Sequence, residues 1–165
     1  VTRLADFNAL PGGEADHVLR PCLDIDRWVD ELVRGRPYPS VGELLDRAGR
    51  AASPFTTAEV EAALRHHPRI GEGSGSSSAG AAFSRDEQGG VARDPETLER
   101  LAEANRRYEE RFGRVFLVRA AGRGAEDVLA ALVDRLGNDA GTEERVVADQ
   151  LREIAVLRLA QVVST

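Results

Sequence analysis

Along most of the chain apolar positions recur at the three- and four-residue spacings of helices, and almost nowhere with the alternation of strands. Ile25, Trp28, Val29, Leu32 and Val33 form one stripe, with Asp24 as the expected N-cap and the glycine- and proline-rich stretch 35–39 as the stop. Ser40 with Glu43 makes a capping box for the next helix, whose inward face is Val41, Leu44, Leu45 and Ala48. Thr56 with Glu59 makes another, opening a helix with Val60, Ala63 and Leu64 buried. His67 is the next position on that stripe, while His66 points about 100° away. Pro68 stops the helix, so His67 falls at or just past its end, where the last carbonyls favour the protonated imidazole.

The second half repeats the pattern. Asp94-Pro95 opens a helix to Arg111 with Leu98, Leu101, Ala102, Asn105, Tyr108 and Phe112 on one face and Gly113 at its end. A buried Asn105 needs hydrogen-bond partners and is read as tying a neighbouring backbone in place. Residues 115–118 are four apolar residues between basic flanks, too short for a helix. An extended, buried segment is expected, its backbone groups paired with another segment or a ligand. A helix from Gly124 to Leu136 buries Val128, Leu129, Leu132, Val133 and Leu136. Thr142 is the expected cap of the last helix, with Val147, Leu151, Ile154, Ala155 and Val162 on one face. Arg158 is centred on that face. A buried guanidinium is costly unless paired, so it reads either as a structural ion pair or as the anchor of an anionic ligand. Residues 1–23 show only a short polar–apolar opening, broken at Pro11-Gly12-Gly13 and Pro21. The expected architecture is all-α, a single-domain bundle of about seven to nine helices over residues 1–165, with a Gly/Ser-rich loop beside the site.

Residues 66–91 break the helical pattern: His-His-Pro-Arg-Ile-Gly-Glu, a Gly/Ser/Ala run, then Ser84-x-x-Glu87 followed at once by Gly89-Gly90. The run has linker composition and reads equally as a surface loop or as a flap beside a site. With so little helix to cap there, Glu87 is left for other work.

Composition removes several function classes. A net charge of −6, with both signs interleaved, argues against nucleic acid or an anionic membrane as the main partner. The one cysteine, Cys22, forms no intramolecular disulfide and points to a reducing, cytoplasmic setting. His17, His66 and His67 have no Cys or His at zinc-like spacing, so no metal is expected. Nor is there a nucleophile motif, phosphate loop, cofactor fingerprint, signal peptide, or membrane-length apolar run. His67, Glu87 and Arg158 remain: a proton exchanger, an acceptor of N–H bonds and a holder of carboxylate or carbonyl oxygen. By themselves they indicate an acid/base site for a small anionic ligand.

The order of several short motifs goes further. Pro21-Cys22, Trp28, Arg36-Pro37-Tyr38, His67-Pro68, Ser84-x-x-Glu87-Gln88, Asn105-x-x-Tyr108-x-x-Arg111-Phe112-Gly113 and Arg135-Leu136-x-Asn138 are weak singly and specific together. In this order the chain resembles the 2-oxo-4-hydroxy-4-carboxy-5-ureidoimidazoline (OHCU) decarboxylase family of urate degradation, from Phe7-Asn8 to Arg158-Leu159. The resemblance implies cofactor-free loss of CO2 from OHCU, giving (S)-allantoin. His67 is then the proton donor, and Glu87 accepts from ring or ureido N–H groups. Arg158 binds substrate oxygen. Pro68, Ser84, Arg85, Asp86, Gln88 and the backbone of Phe116, Leu117, Val118, Arg119 and Ala120 line the pocket. Family members often read His-Pro-Asp-Leu where this chain has His67-Pro68-Arg69-Ile70-Gly71-Glu72. A homodimer is expected from the same likeness. The rival readings are a non-catalytic helical small-molecule-binding module and a decarboxylase of a related ureide.

Overall fold

The predicted stripes fold as helices. The structure, a computed structural model, describes residues 1–65, 67 and 95–165. Among these are eight helices: α1 (Leu4–Ala9), α2 (Gly12–Leu19), α3 (Asp26–Arg34), α4 (Val41–Arg50), α5 (Thr57–Leu64), α6 (Pro95–Phe112), α7 (Ala125–Arg135) and α8 (Ala140–Val162). The only strands among them are β1 (Thr2–Arg3) and β2 (Val163–Ser164), paired in parallel with Thr2 opposite Val163 and Arg3 opposite Ser164. The all-α expectation holds. The chain divides into two compact units, one made of Val1–Ala63 with Leu151–Thr165 and the other of Leu64–Gln150.

In the first unit Phe7, Leu19, Trp28, Leu32, Leu44 and Leu159 are fully buried. The Trp28 indole keeps its polar edge satisfied by donating to the Ala48 carbonyl at 3.0 Å, which ties α3 to α4. Ser40 caps α4 by accepting from the Glu43 N–H at 3.1 Å. The box at the start of α5 is reciprocal, Glu59 N–H to Thr56 Oγ1 at 3.2 Å and Thr56 N–H to Glu59 Oε2 at 2.7 Å. Arg27 then binds Glu59 through two nitrogens, each at 2.7 Å, and donates to the carbonyls of Ala52 and Pro54.

Three expectations fail here. The short polar–apolar opening contains two helices, and the Pro-Gly-Gly run, read as a break, starts the second: Pro11 occupies the cap position of α2 and Gly12 is its first residue. Asp24 does not cap α3, which opens at Asp26 after Ile25; the Asp24 carboxylate instead accepts from Arg20 at 2.6 Å. Val33, Val41 and Leu45 are only partly buried.

In the second unit α6 packs against α7. The buried face of α6 is Thr97, Leu101, Ala104, Asn105 and Tyr108, while Leu98 is half-buried and Ala102 exposed. The face is rotated from the expected one so that Tyr108 meets Phe116 edge-on, with ring centres 5.2 Å apart. On α7 Val133 is 55% exposed and Leu136 half-buried, while Arg135, not among the residues expected inside, is buried. Asp139, not Thr142, caps α8: its carboxylate accepts from the Thr142 N–H at 2.9 Å and the Thr142 hydroxyl at 2.8 Å. Those bonds hold the Asp139 carboxyl below its usual range. The expected cap Asp94 lies outside the described residues.

Candidate functional site

His67 stands where the α5 pattern puts it, just beyond the helix. Its N–H donates to the Leu64 carbonyl at 3.0 Å, a tightened final turn, and the residue is half-buried. Val60, Ala63 and Leu64, the stripe leading to it, are buried as expected. Arg158 is only 3% exposed, on the α8 face that also buries Val147, Leu151, Ile154 and Ala155. Neighbouring groups engage both His67 and Arg158. Pro68, Ser84, Arg85, Asp86, Glu87 and Gln88, with the Gly/Ser-rich loop, lie outside the described residues.

Residues 115–120 belong to neither helix nor strand, yet Phe116, Leu117, Val118 and Ala120 are buried and Arg119 is half-buried. The expected buried, non-helical segment is present. Its backbone finds partners in side chains: Arg135 donates through Nη1 to the Leu117 carbonyl, and Gln150 Oε1 accepts from the Arg119 N–H at 2.8 Å. The Ala120 carbonyl accepts from the Arg123 N–H at 2.9 Å.

Arg135 belongs to a buried polar cluster. Glu143, 1% exposed, accepts from Arg135 Nε at 2.8 Å, from Arg135 Nη2, and from the Tyr108 hydroxyl through the same oxygen. Its other oxygen accepts from Asn138 Nδ2 at 2.8 Å. The guanidinium lies 4.6 Å from the centre of the Phe116 ring. Burial first, and then its bond to Glu143, push the Tyr108 hydroxyl above its ordinary pKa, so it stays a donor. The sequence marked Arg135 and Asn138 only as landmarks and Tyr108 as a landmark on the apolar face of its helix, and it gave no notice of Glu143 and Gln150. One signal was present: Arg135 follows Val128 and Leu132 at helical spacing on the buried face of α7.

Among the described residues no group of three or more His, Cys, Asp or Glu is arranged to hold a metal, and no helix is long and apolar enough to cross a membrane. A groove of about 460 Å³ between α6 and α7, walled by Arg100, Glu103, Arg107, Leu129 and Val133, contains none of the predicted site residues.

The helices, with only one two-residue strand pair among the described residues, define an all-α protein. The model of the OHCU decarboxylase family matches residues 8–160, and the chain belongs to that family. It is similar to 2-oxo-4-hydroxy-4-carboxy-5-ureidoimidazoline decarboxylase of Haloferax volcanii, 34% identical over 81% of this chain and 80% of that protein. The protein of the same name from Amia calva is 30% identical over 78% of this chain and 75% of that one. A uric acid degradation bifunctional protein of a Bacillus species aligns over 97% of this chain but only 32% of its own length, at 24% identity. Two solved structures share the fold. An OHCU decarboxylase crystallised in the presence of (S)-allantoin has a TM-score of 0.71 at 22% identity, covering 88% of this chain and 96% of that one. An (S)-allantoin synthase has a TM-score of 0.74 at 19% identity, covering 100% of this chain and 55% of that one.

Proposed function

We propose that this chain decarboxylates OHCU to (S)-allantoin, without a metal or organic cofactor, as a step of urate degradation. The observation that carries the reading is the family match over residues 8–160, with relatives aligned over most of their own length. In the reaction the bond from C4 to the carboxylate breaks and CO2 leaves. The electron pair passes into the ring toward the neighbouring imine. A proton is delivered to one face of the adjacent carbon as the C4 hydroxyl becomes a carbonyl, and the hydroxyl proton passes to the ring nitrogen that took up the electron pair. His67 is the proton donor, and its charged form also stabilises the electron pair released by CO2. Arg158 holds substrate oxygen with its planar fork, a role consistent with a guanidinium kept among apolar residues of α8. Glu87 accepts from ring or ureido N–H groups. Pro68, Ser84, Arg85, Asp86 and Gln88 line the pocket together with the Phe116–Ala120 backbone, so residues 1–165 act as one functional domain. The reading includes a cytoplasmic location, with which a single, buried cysteine agrees, and a homodimer.

The test supplies freshly generated OHCU and follows chirality by circular dichroism against spontaneous decay. The wild-type protein yields (S)-allantoin. His67→Ala abolishes formation of that enantiomer while its far-ultraviolet spectrum stays helical, and retained turnover in this variant removes His67 from the mechanism. Arg158→Lys lowers kcat/KM by about 100-fold, because one ammonium cannot reproduce two parallel donors. Kinetics unchanged from wild type would assign Arg158 to a structural ion pair instead.

A further inference from the structure

The two bonds that anchor the segment at 115–120 belong to the two peptide planes on either side of Val118: the Leu117 carbonyl lies in the plane before it and the Arg119 N–H in the plane after it. A trans peptide is planar, with its C=O and N–H on opposite edges. Fixing the Leu117 carbonyl on Arg135 therefore turns the Val118 N–H the other way, and fixing the Arg119 N–H on Gln150 does the same for the Val118 carbonyl. Both holders are themselves constrained. Arg135 is gripped by Glu143 and stacked on Phe116, Glu143 is gripped by Tyr108 and Asn138, and Gln150 stands on α8. Two polar side chains and a buried ion pair committed to two peptide planes are more than a connecting loop requires, and supporting a backbone in this way is how a binding edge is preorganised.

We infer that Arg135, backed by Glu143, and Gln150 are positioning residues that aim the Val118 N–H and C=O at the substrate. The inference rests on the proposed reading of Phe116–Ala120 as pocket backbone. The substrate class it fits is a ring amide or ureide, because adjacent N–H and C=O groups on the ligand meet a neighbouring backbone acceptor and donor together.

The test uses Gln150→Leu, since Gln150 is only half-buried and its loss leaves the ion pair intact. Contacts shared by ground state and transition state appear in KM. Per folded molecule, Gln150→Leu raises KM for OHCU about five- to ten-fold with kcat held within about two-fold. Exchange of the Arg119 amide hydrogen, followed by NMR, accelerates in the same variant. Gln150→Glu, which keeps an oxygen acceptor, recovers part of the KM and slows that exchange again. Arg135→Lys, with one ammonium for two partners, raises KM in the same direction. A Gln150→Leu protein whose Arg119 amide exchanges faster while KM stays within about two-fold of wild type overturns the inference. A wild-type protein that fails to speed CO2 release overturns the functional reading itself, and is seen before any variant is made.

Discussion

Replacing Glu143 by Gln is the most informative perturbation of the second unit. The carboxylate is 1% exposed and faces three donors, Arg135, Tyr108 and Asn138. Gln preserves shape and one acceptor oxygen, but it removes the charge and turns an NH2 group toward one of those donors. Arg135, 8% exposed, is then left as a buried cation without its counter-charge. Breaking a buried pair from one side costs about 3–5 kcal/mol, and we take about 3 kcal/mol because the Leu117 carbonyl and the Phe116 ring still hold the guanidinium. For a chain of this length each kcal/mol moves the melting point by about 2–4 °C, so Tm falls by about 6–12 °C. Thermal melts followed by circular dichroism measure it. Combining Glu143→Leu with Arg135→Met separates charge from packing: the double variant loses less than the two single variants added together, with a coupling of about 2 kcal/mol. A Glu143→Gln protein that melts within about 2 °C of wild type would refute the reasoning, because the pair would then contribute little to holding the segment.

Two further predictions concern the first unit. Arg27 holds the Glu59 carboxyl down at about 2, helped by the Thr56 N–H. A depressed carboxyl contributes stability that is complete above its ordinary value near 4.5 and lost as pH falls toward about 2. The pair is partly open to solvent, so about 1 kcal/mol is at stake, and Glu59→Gln should flatten urea-melt stability between about pH 5 and pH 2. An unchanged slope would detach Glu59 from acid unfolding. At Gly35 an added Cβ collides with the Tyr38 hydroxyl, which donates to the Leu32 carbonyl at 2.9 Å. Gly35→Ala should therefore cost about 1–3 kcal/mol in urea unfolding, and a wild-type midpoint would show that Tyr38 moves aside freely.

What the sequence disclosed follows from which interactions are local. The Ser40 and Thr56 caps and the centres of the stripes at Trp28, Leu44 and Val60 depend on residues a few positions apart, and those readings hold, while the stripe edges at Val33, Val41 and Leu45 do not. His67 and Arg158 were singled out because a polar residue in an apolar stripe is conspicuous. The α2 start was misread because Pro-Gly-Gly breaks a helix from behind and opens one from in front. The α6 face was misread because spacing alone fits a stripe through Leu98 and Ala102 as well as one through Thr97 and Ala104, and the choice went with Tyr108 packing on Phe116, which lies beyond the end of the helix. Glu143 was hidden for the same reason: an acidic residue in the first turn of a helix looks like surface complementing the helix dipole. Only its three-dimensional partners mark it as interior.

The parallel pairing of Thr2–Arg3 with Val163–Ser164 bears on how the protein is made. The unit it closes draws on both extremes of the chain, whereas Leu64–Gln150 is one uninterrupted stretch. During synthesis the uninterrupted stretch is complete once Gln150 has been added, while helices α1 to α4 must wait for Leu151–Thr165 to be translated before their unit is whole. Until then the apolar faces of these helices lack Leu151, Leu159 and Val163, which are buried in the finished unit.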